Sequence, residues 1–82
     1  AKEAAIASID VAFGTFAAPR VLAVTALGNK PSQGLMVRLG MERLPNLDFV
    51  DERFPAVSDP NPQIVFGIDA ADWPAARAAA LA

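Results

Sequence analysis

The stretch TALGNKPSQGLMVRLGM, from Thr25 to Met41, compresses a strand exit, a loop asparagine, a helix start and a glycine stop into one short run. Leu27-Gly28-Asn29 reads as a loop. Asn29 is placed to cap a helix whose first turn contains Pro31, a position where a missing N–H costs nothing. The spacing predicts a helix from about Lys30 to Leu39, with Leu35, Met36 and Leu39 on its packing side and Gly40 as the left-handed residue that ends it. Met41 to Leu44 is then a candidate strand, stopped by Pro45.

Upstream of this run, Val21-Leu22-Ala23-Val24 is continuously apolar rather than alternating, which suits a strand covered on both faces in an α/β arrangement. Before it, Ile6, Ile9, Phe13 and Phe16 recur at helical spacing, flanked by Ala5 and Ala12, with Lys2, Glu3 and Asp10 elsewhere. The helix has no visible capping residue, so it is expected to be entered from residues before Ala1. A helix followed by a buried strand suggests a crossover unit whose preceding strand is also expected upstream.

Downstream, Pro45 to Pro62 is polar, acidic and punctuated by Pro55, Pro60 and Pro62, and reads as a long surface loop. Gln63 to Ile68 is a strand candidate in which Gly67 suggests a bulge or a close backbone approach. An alanine-rich helix around Trp73 to Leu81 follows, capped by Asp69 or Asp72, with Trp73 anchoring it to the sheet.

Composition narrows the chemistry. The chain has 82 residues, no cysteine and no histidine. Disulfides, thiolate nucleophiles, cysteine zinc sites and a serine–histidine–aspartate triad are therefore excluded. A domain this short buries only about 60–65% of the surface its unfolded chain exposes, and much of its apolar content is alanine, so its core is thin. That hints at a missing partner or a missing half. The first forty residues carry four basic and two acidic side chains, and the remainder three basic and seven acidic. Such a division could favour a phosphorylated ligand near the first half and a cationic one near the second, or simply be a solvated surface of mixed charge. No lysine/arginine cluster with interleaved aromatics suggests nucleic-acid binding, and no apolar stretch is long enough to span a bilayer, so a cytoplasmic protein is expected.

With the order helix, strand, helix, strand, strand, helix, the segment Asn29-Lys30-Pro31-Ser32 followed by Leu35-Met36-Val37-Arg38-Leu39-Gly40-Met41 resembles the GNAT superfamily of N-acetyltransferases. Within it the likeness is to the RimJ/RimL group, whose pattern is an asparagine, two residues, a serine and a short helix closing on Leu-Gly-Phe or Leu-Gly-Met. Leu47-Asp48-Phe49 and Asp72-Trp73 also sit where that group carries similar elements. The resemblance implies a fold class of α/β type (α+β, with a mixed sheet), residues 1–82 forming the C-terminal half of an acyl-CoA N-acyltransferase domain.

The same resemblance implies function. Acetyl-CoA would be the acyl donor, with no metal, and the acceptor a primary amine on a protein terminus or a small molecule. The family binds the CoA pyrophosphate with a Gln/Arg-x-x-Gly-x-Gly/Ala turn opening a helix, whose last position here is Ala1, so Ala1 and Lys2 would be what this chain retains of it. The oxyanion donor would come from a strand upstream. Many relatives assist the departing thiolate with a tyrosine whose position here corresponds to Met36, and the chain contains no tyrosine. Ser32 is then the hydroxyl left to act on the leaving group, with Asn29 holding the pantetheine arm or the loop shape. On spacing alone, Asn29 and Ser32 read as helix-start residues, Lys2 as a solvated helix residue, and Asp48, Asp51 and Glu52 as loop solvation. The alternative to an enzyme is a non-catalytic module that works by association, as a homo-oligomer or docked on a complementary half.

Overall fold

Residues 2–82 are described by a computed structural model of the chain, and the Ala1 expectation lies outside them. Helix α1 spans Lys2–Gly14 and buries Ile6 and Ile9, with Ala5 and Phe13 packed at the margin of the core. Phe16 departs from the predicted stripe and is 75% exposed. The helix has already ended: Thr15 and Phe16 N–H groups both bond back to the Val11 carbonyl, and Ala17 adopts φ +50°, which swings the chain off the helical path.

Strand β1 (Arg20–Ala26) runs back beside the helix and pairs antiparallel with β3 (Gln63–Asp69), Leu22 facing Gly67 and Val24 facing Val65. Strand β2, Glu42–Arg43, pairs antiparallel with the other edge of β3, so the sheet order is β1-β3-β2. The α/β class and element order are those expected, while both pairings are antiparallel. Between β1 and β2 lies α2 (Lys30–Arg38), and α3 (Trp73–Leu81) closes the chain.

All three helices contribute to one core on a single face of the sheet. Ile64, Phe66 and Ile68 project from alternate positions of β3 into a cluster with Ile6, Ile9, Met36, Leu39, Met41, Trp73 and Ala80. The expectation that β1 is covered on both faces therefore fails: Val21 and Ala23 pack on the core, whereas Leu22 and Val24 are half exposed on the other side. Only the centre of that second face is sheltered, where Leu44 reaches over Gly67. A Cβ on Gly67 would stand 2.7 Å from Leu44 Cδ1, so the neighbour that approaches this glycine is a side chain rather than the backbone expected, and the register runs through it without a bulge.

Two polar devices hold the helices and the long loop in place. The Trp73 indole donates to Asp10 on α1 at 2.8 Å, so this tryptophan fixes α3 to α1 as well as to the sheet. Neither Asp69 nor Asp72 caps α3 with its side chain; a 3-10 turn over Ala70–Asp72 leads into the helix instead, and Asp69 pairs with Arg20 across the strands at 2.8 Å. Within the loop, Asp48 receives a two-pronged bond from Arg43, 2.6 Å at each oxygen, and accepts the Val65 N–H at 3.1 Å. This carboxylate therefore pins the loop to the sheet, beyond the solvation role its composition suggested. Among the described residues, no helix is long and apolar enough to cross a membrane.

Candidate functional site

The turn that links β1 to α2 is fastened at each of its residues. Asn29 N–H donates to the Ala26 carbonyl at 3.0 Å and Lys30 N–H to the Gly28 carbonyl at 3.1 Å, which reverses the chain directly after the strand. The Asn29 side-chain oxygen accepts the Ser32 N–H at 3.2 Å, the N-cap expected from the sequence. Gln33 completes the lock: its backbone N–H donates to the Asn29 carbonyl, and its side-chain amide donates to the Leu27 carbonyl at 2.6 Å. At the far end of α2, Gly40 takes φ +81°, the left-handed conformation assigned to it.

This arrangement decides what the start of α2 can bind. A helix N-terminus attracts anions through its unsatisfied N–H groups. Here the Lys30, Ser32 and Gln33 amides already have partners and Pro31 has no N–H. The α2 terminus is thus a closed cap rather than a phosphate cradle, and what it offers a ligand is side-chain chemistry: the Asn29 amide nitrogen and the Lys30 ammonium, both exposed.

Those two residues line a cleft. One wall is the turn Ala26–Lys30 and the other is the loop segment Val57–Pro62, the two being joined where Leu27 N–H donates to the Pro62 carbonyl at 3.0 Å. Ser32 is half-buried on the first turn of α2, coupled to Asn29 through its backbone, and is not part of the cleft wall. A second hollow lies at the opposite end of β3, where Arg20 is already paired with Asp69.

Lys2 stands apart from Asn29 and Ser32 in its bonding, donating from Nζ to the Ala80 carbonyl at 3.0 Å and tying the start of α1 to the end of α3. It nevertheless belongs to the same end of the sheet. Asp10 contacts Trp73 and Arg77 while Lys2 contacts Ala80, so α1 and α3 run antiparallel; Ala70 bonds to Pro19, which sets the start of α3 beside the start of β1. The N-terminal ends of α1 and α2 therefore both point to the Ala26 end of β1. Between them β1 presents an unpaired edge, since β3 is its single strand neighbour among the described residues.

Met36, which the resemblance sets at the position of a tyrosine in many relatives, is buried in the core and presents no donor. Gln33 and Asn61, which shape the two cleft walls, were not singled out by sequence reasoning. Gln33 carried a usable signal, being the first long amide side chain after the cap, within reach of the loop carbonyls behind it.

Residues 1–42 match the family model described as the acetyltransferase (GNAT) domain. The whole fold is similar to a crystal structure assigned provisionally as an acetyltransferase, at 26% sequence identity and a TM-score of 0.79. That likeness takes in 98% of this chain and 42% of the other, so the chain spans less than half the length of the protein it matches. By its turn, its helix and its match over half its length, the chain belongs to the acetyltransferase (GNAT) domain family.

Proposed function

We propose that this chain carries the acyl-CoA side of an acetyl-CoA-dependent N-acetyltransferase of RimJ/RimL type, acting on a primary amine of a protein terminus or a small molecule. The observation that carries the reading is the capped turn at Asn29, set at the end of an open-edged strand and beside a cleft. The chemistry of the donor set fits a pantetheine arm: its amides need hydrogen-bonding groups in an extended row, and the free edge of β1 offers a backbone N–H and C=O at every second residue. Asn29 adds a side-chain amide at the end of that row. The family resemblance implies that Ala1 and Lys2 hold the pyrophosphate, and the closed cap at the start of α2 supports that reading.

Acetyl-CoA supplies an acetyl group activated as a thioester. In the transfer, the neutral amine nitrogen forms a bond to the acetyl carbon, the carbon–sulfur bond breaks with its electron pair leaving on sulfur as the CoA thiolate, and the amine proton passes to water. Ser32 donates a hydrogen bond toward the departing sulfur. It does not give up its proton, because a thiol of reference pKa about 8.5 leaves as the thiolate without full protonation. A hydrogen bond to a charged group made mainly in the transition state is worth roughly 1.5–3 kcal/mol, or about tenfold to a hundredfold in rate. Titration with acetyl-CoA, against Asn29→Ala, tests the reading.

A second reading, association without catalysis, is favoured by one observation. The open edge of β1 carries the exposed Leu22 and Val24 beside it, a combination suited to pairing with another strand. A folded chain that self-associates yet takes up no acetyl-CoA would select this reading.

A further inference from the structure

Asn61 is buried to 5% exposure in a loop whose other members are mostly open to solvent, and both ends of its side chain are engaged. Its Oδ1 accepts the Asp51 N–H at 2.8 Å, while its Nδ2 donates to the carbonyls of Asp51 at 2.9 Å, Pro55 at 3.0 Å and Phe54 at 3.4 Å. Its own N–H donates to the Ser58 carbonyl at 3.0 Å. One carboxamide thus closes residues 51–61 into a compact loop, in the way a backbone pair would close a hairpin. Apolar burial does little to hold this loop, since Phe54 is 44% and Val57 94% exposed.

The next residue connects that loop to the candidate site. Pro62 accepts the Leu27 N–H at 3.0 Å, and Leu27 in turn accepts from the Gln33 side chain that braces the Asn29 turn. A series of hydrogen bonds, joined by the Asn61–Pro62 peptide bond and the Leu27 backbone, therefore runs from Asp51 and Pro55 through Asn61, Pro62 and Leu27 to Gln33 and Asn29. Both walls of the cleft lie on it.

We infer that Asn61 is a positioning residue for the Asn29 turn: by fixing the loop it holds the Pro62 carbonyl against Leu27 and so keeps Asn29 oriented toward its ligand. The ligand part rests on the acetyl-CoA reading above; the coupling between the two walls does not.

The test is Asn61→Ala in the 82-residue chain, read by amide hydrogen exchange and by acetyl-CoA titration, alone and combined with Asn29→Ala. The expected result is faster exchange at the Leu27 amide while Ile64 and Phe66 stay protected, since local opening is separable from global unfolding. Acetyl-CoA affinity falls about three- to tenfold, the loss of roughly one net hydrogen bond, with no further loss in the double variant beyond that of Asn29→Ala. Unchanged Leu27 exchange, or losses that multiply in the double variant, would overturn the inference. If the unaltered chain takes up no acetyl-CoA, the functional reading fails and Leu27 exchange alone decides the coupling. Should Asn61→Ala not fold, Asn61→Asp, which keeps the shape and the acceptor for the Asp51 amide but loses the donated bonds, serves with the same readouts.

Discussion

The Trp73 indole donates to the Asp10 carboxylate at 2.8 Å, and Arg77 Nε reaches both oxygens of the same carboxylate at 3.0 Å. Residues from opposite ends of the chain thereby lock α1 to α3. The indole bond, with help from Arg77 and against some desolvation, holds the Asp10 carboxyl below its ordinary value of 3.8. Asp48 is held below it chiefly by Arg43, and Asp51 chiefly by Arg53.

A pH dependence follows with a definite sign. A carboxyl whose folded pKa lies below its unfolded one adds stability that is complete above the unfolded value and is lost as pH falls through the folded value. Urea midpoints are therefore expected to be level from about pH 6 to pH 5 on account of these groups and to fall below about pH 4. Asp10→Asn should lower the midpoint at neutral pH and flatten the acid limb. An acid limb unchanged by that substitution would remove Asp10 from the account.

Gly40 is required twice over, by its φ of +81° and by Ala76, whose Cβ would stand 2.6 Å from a Cβ at this position. Gly40→Ala is expected to cost about 1–3 kcal/mol, combining left-handed strain with overpacking against α3. Gly67→Ala should cost less. The atoms it would crowd, Leu44 Cδ1 and Leu22 Cδ2, are side-chain ends that can swing aside. Denaturant midpoints for the two variants check the ranking, and the reverse order would contradict it.

Ser32 contributes its backbone N–H to the Asn29 cap, so loss of its hydroxyl leaves that bond intact. Ser32→Ala is expected to change stability by less than about 0.5 kcal/mol while, on the proposed leaving-group role, lowering kcat of the acetyl transfer about tenfold to a hundredfold. Steady-state kinetics with a primary amine substrate provide the measurement. Unchanged turnover would reduce Ser32 to a helix-start residue.

Features set by neighbours in the chain were legible from the sequence. The Asn29 cap, Pro31 in the first turn and the left-handed Gly40 each follow from backbone geometry within a few residues, and that local unit also carried the family resemblance. Gly67 was legible in part, because a glycine weakens a strand interior and is kept there where a bulge or a close neighbour requires it, although that neighbour is the Leu44 side chain rather than backbone. What depended on distant partners was not. Leu22 and Val24 belong to an apolar run that reads the same whether one face of the strand is covered or both. Phe16 kept the helical spacing although the helix had ended at Gly14, and Asp69 looked like a cap until its register opposite Arg20 gave it an ion pair. Asn61, buried by carbonyls up to ten positions away, looked like any other turn asparagine.

The most direct test of the central claim is calorimetric titration of the folded chain with acetyl-CoA, repeated on Asn29→Ala. The account predicts saturable binding in the micromolar range, about −8 kcal/mol, weakened by about threefold or more in the variant as one hydrogen bond and the cap of α2 are lost. A chain shown by circular dichroism to be folded that takes up no acetyl-CoA, or binds it equally well without the Asn29 side chain, would contradict the assignment of this turn to the acyl donor.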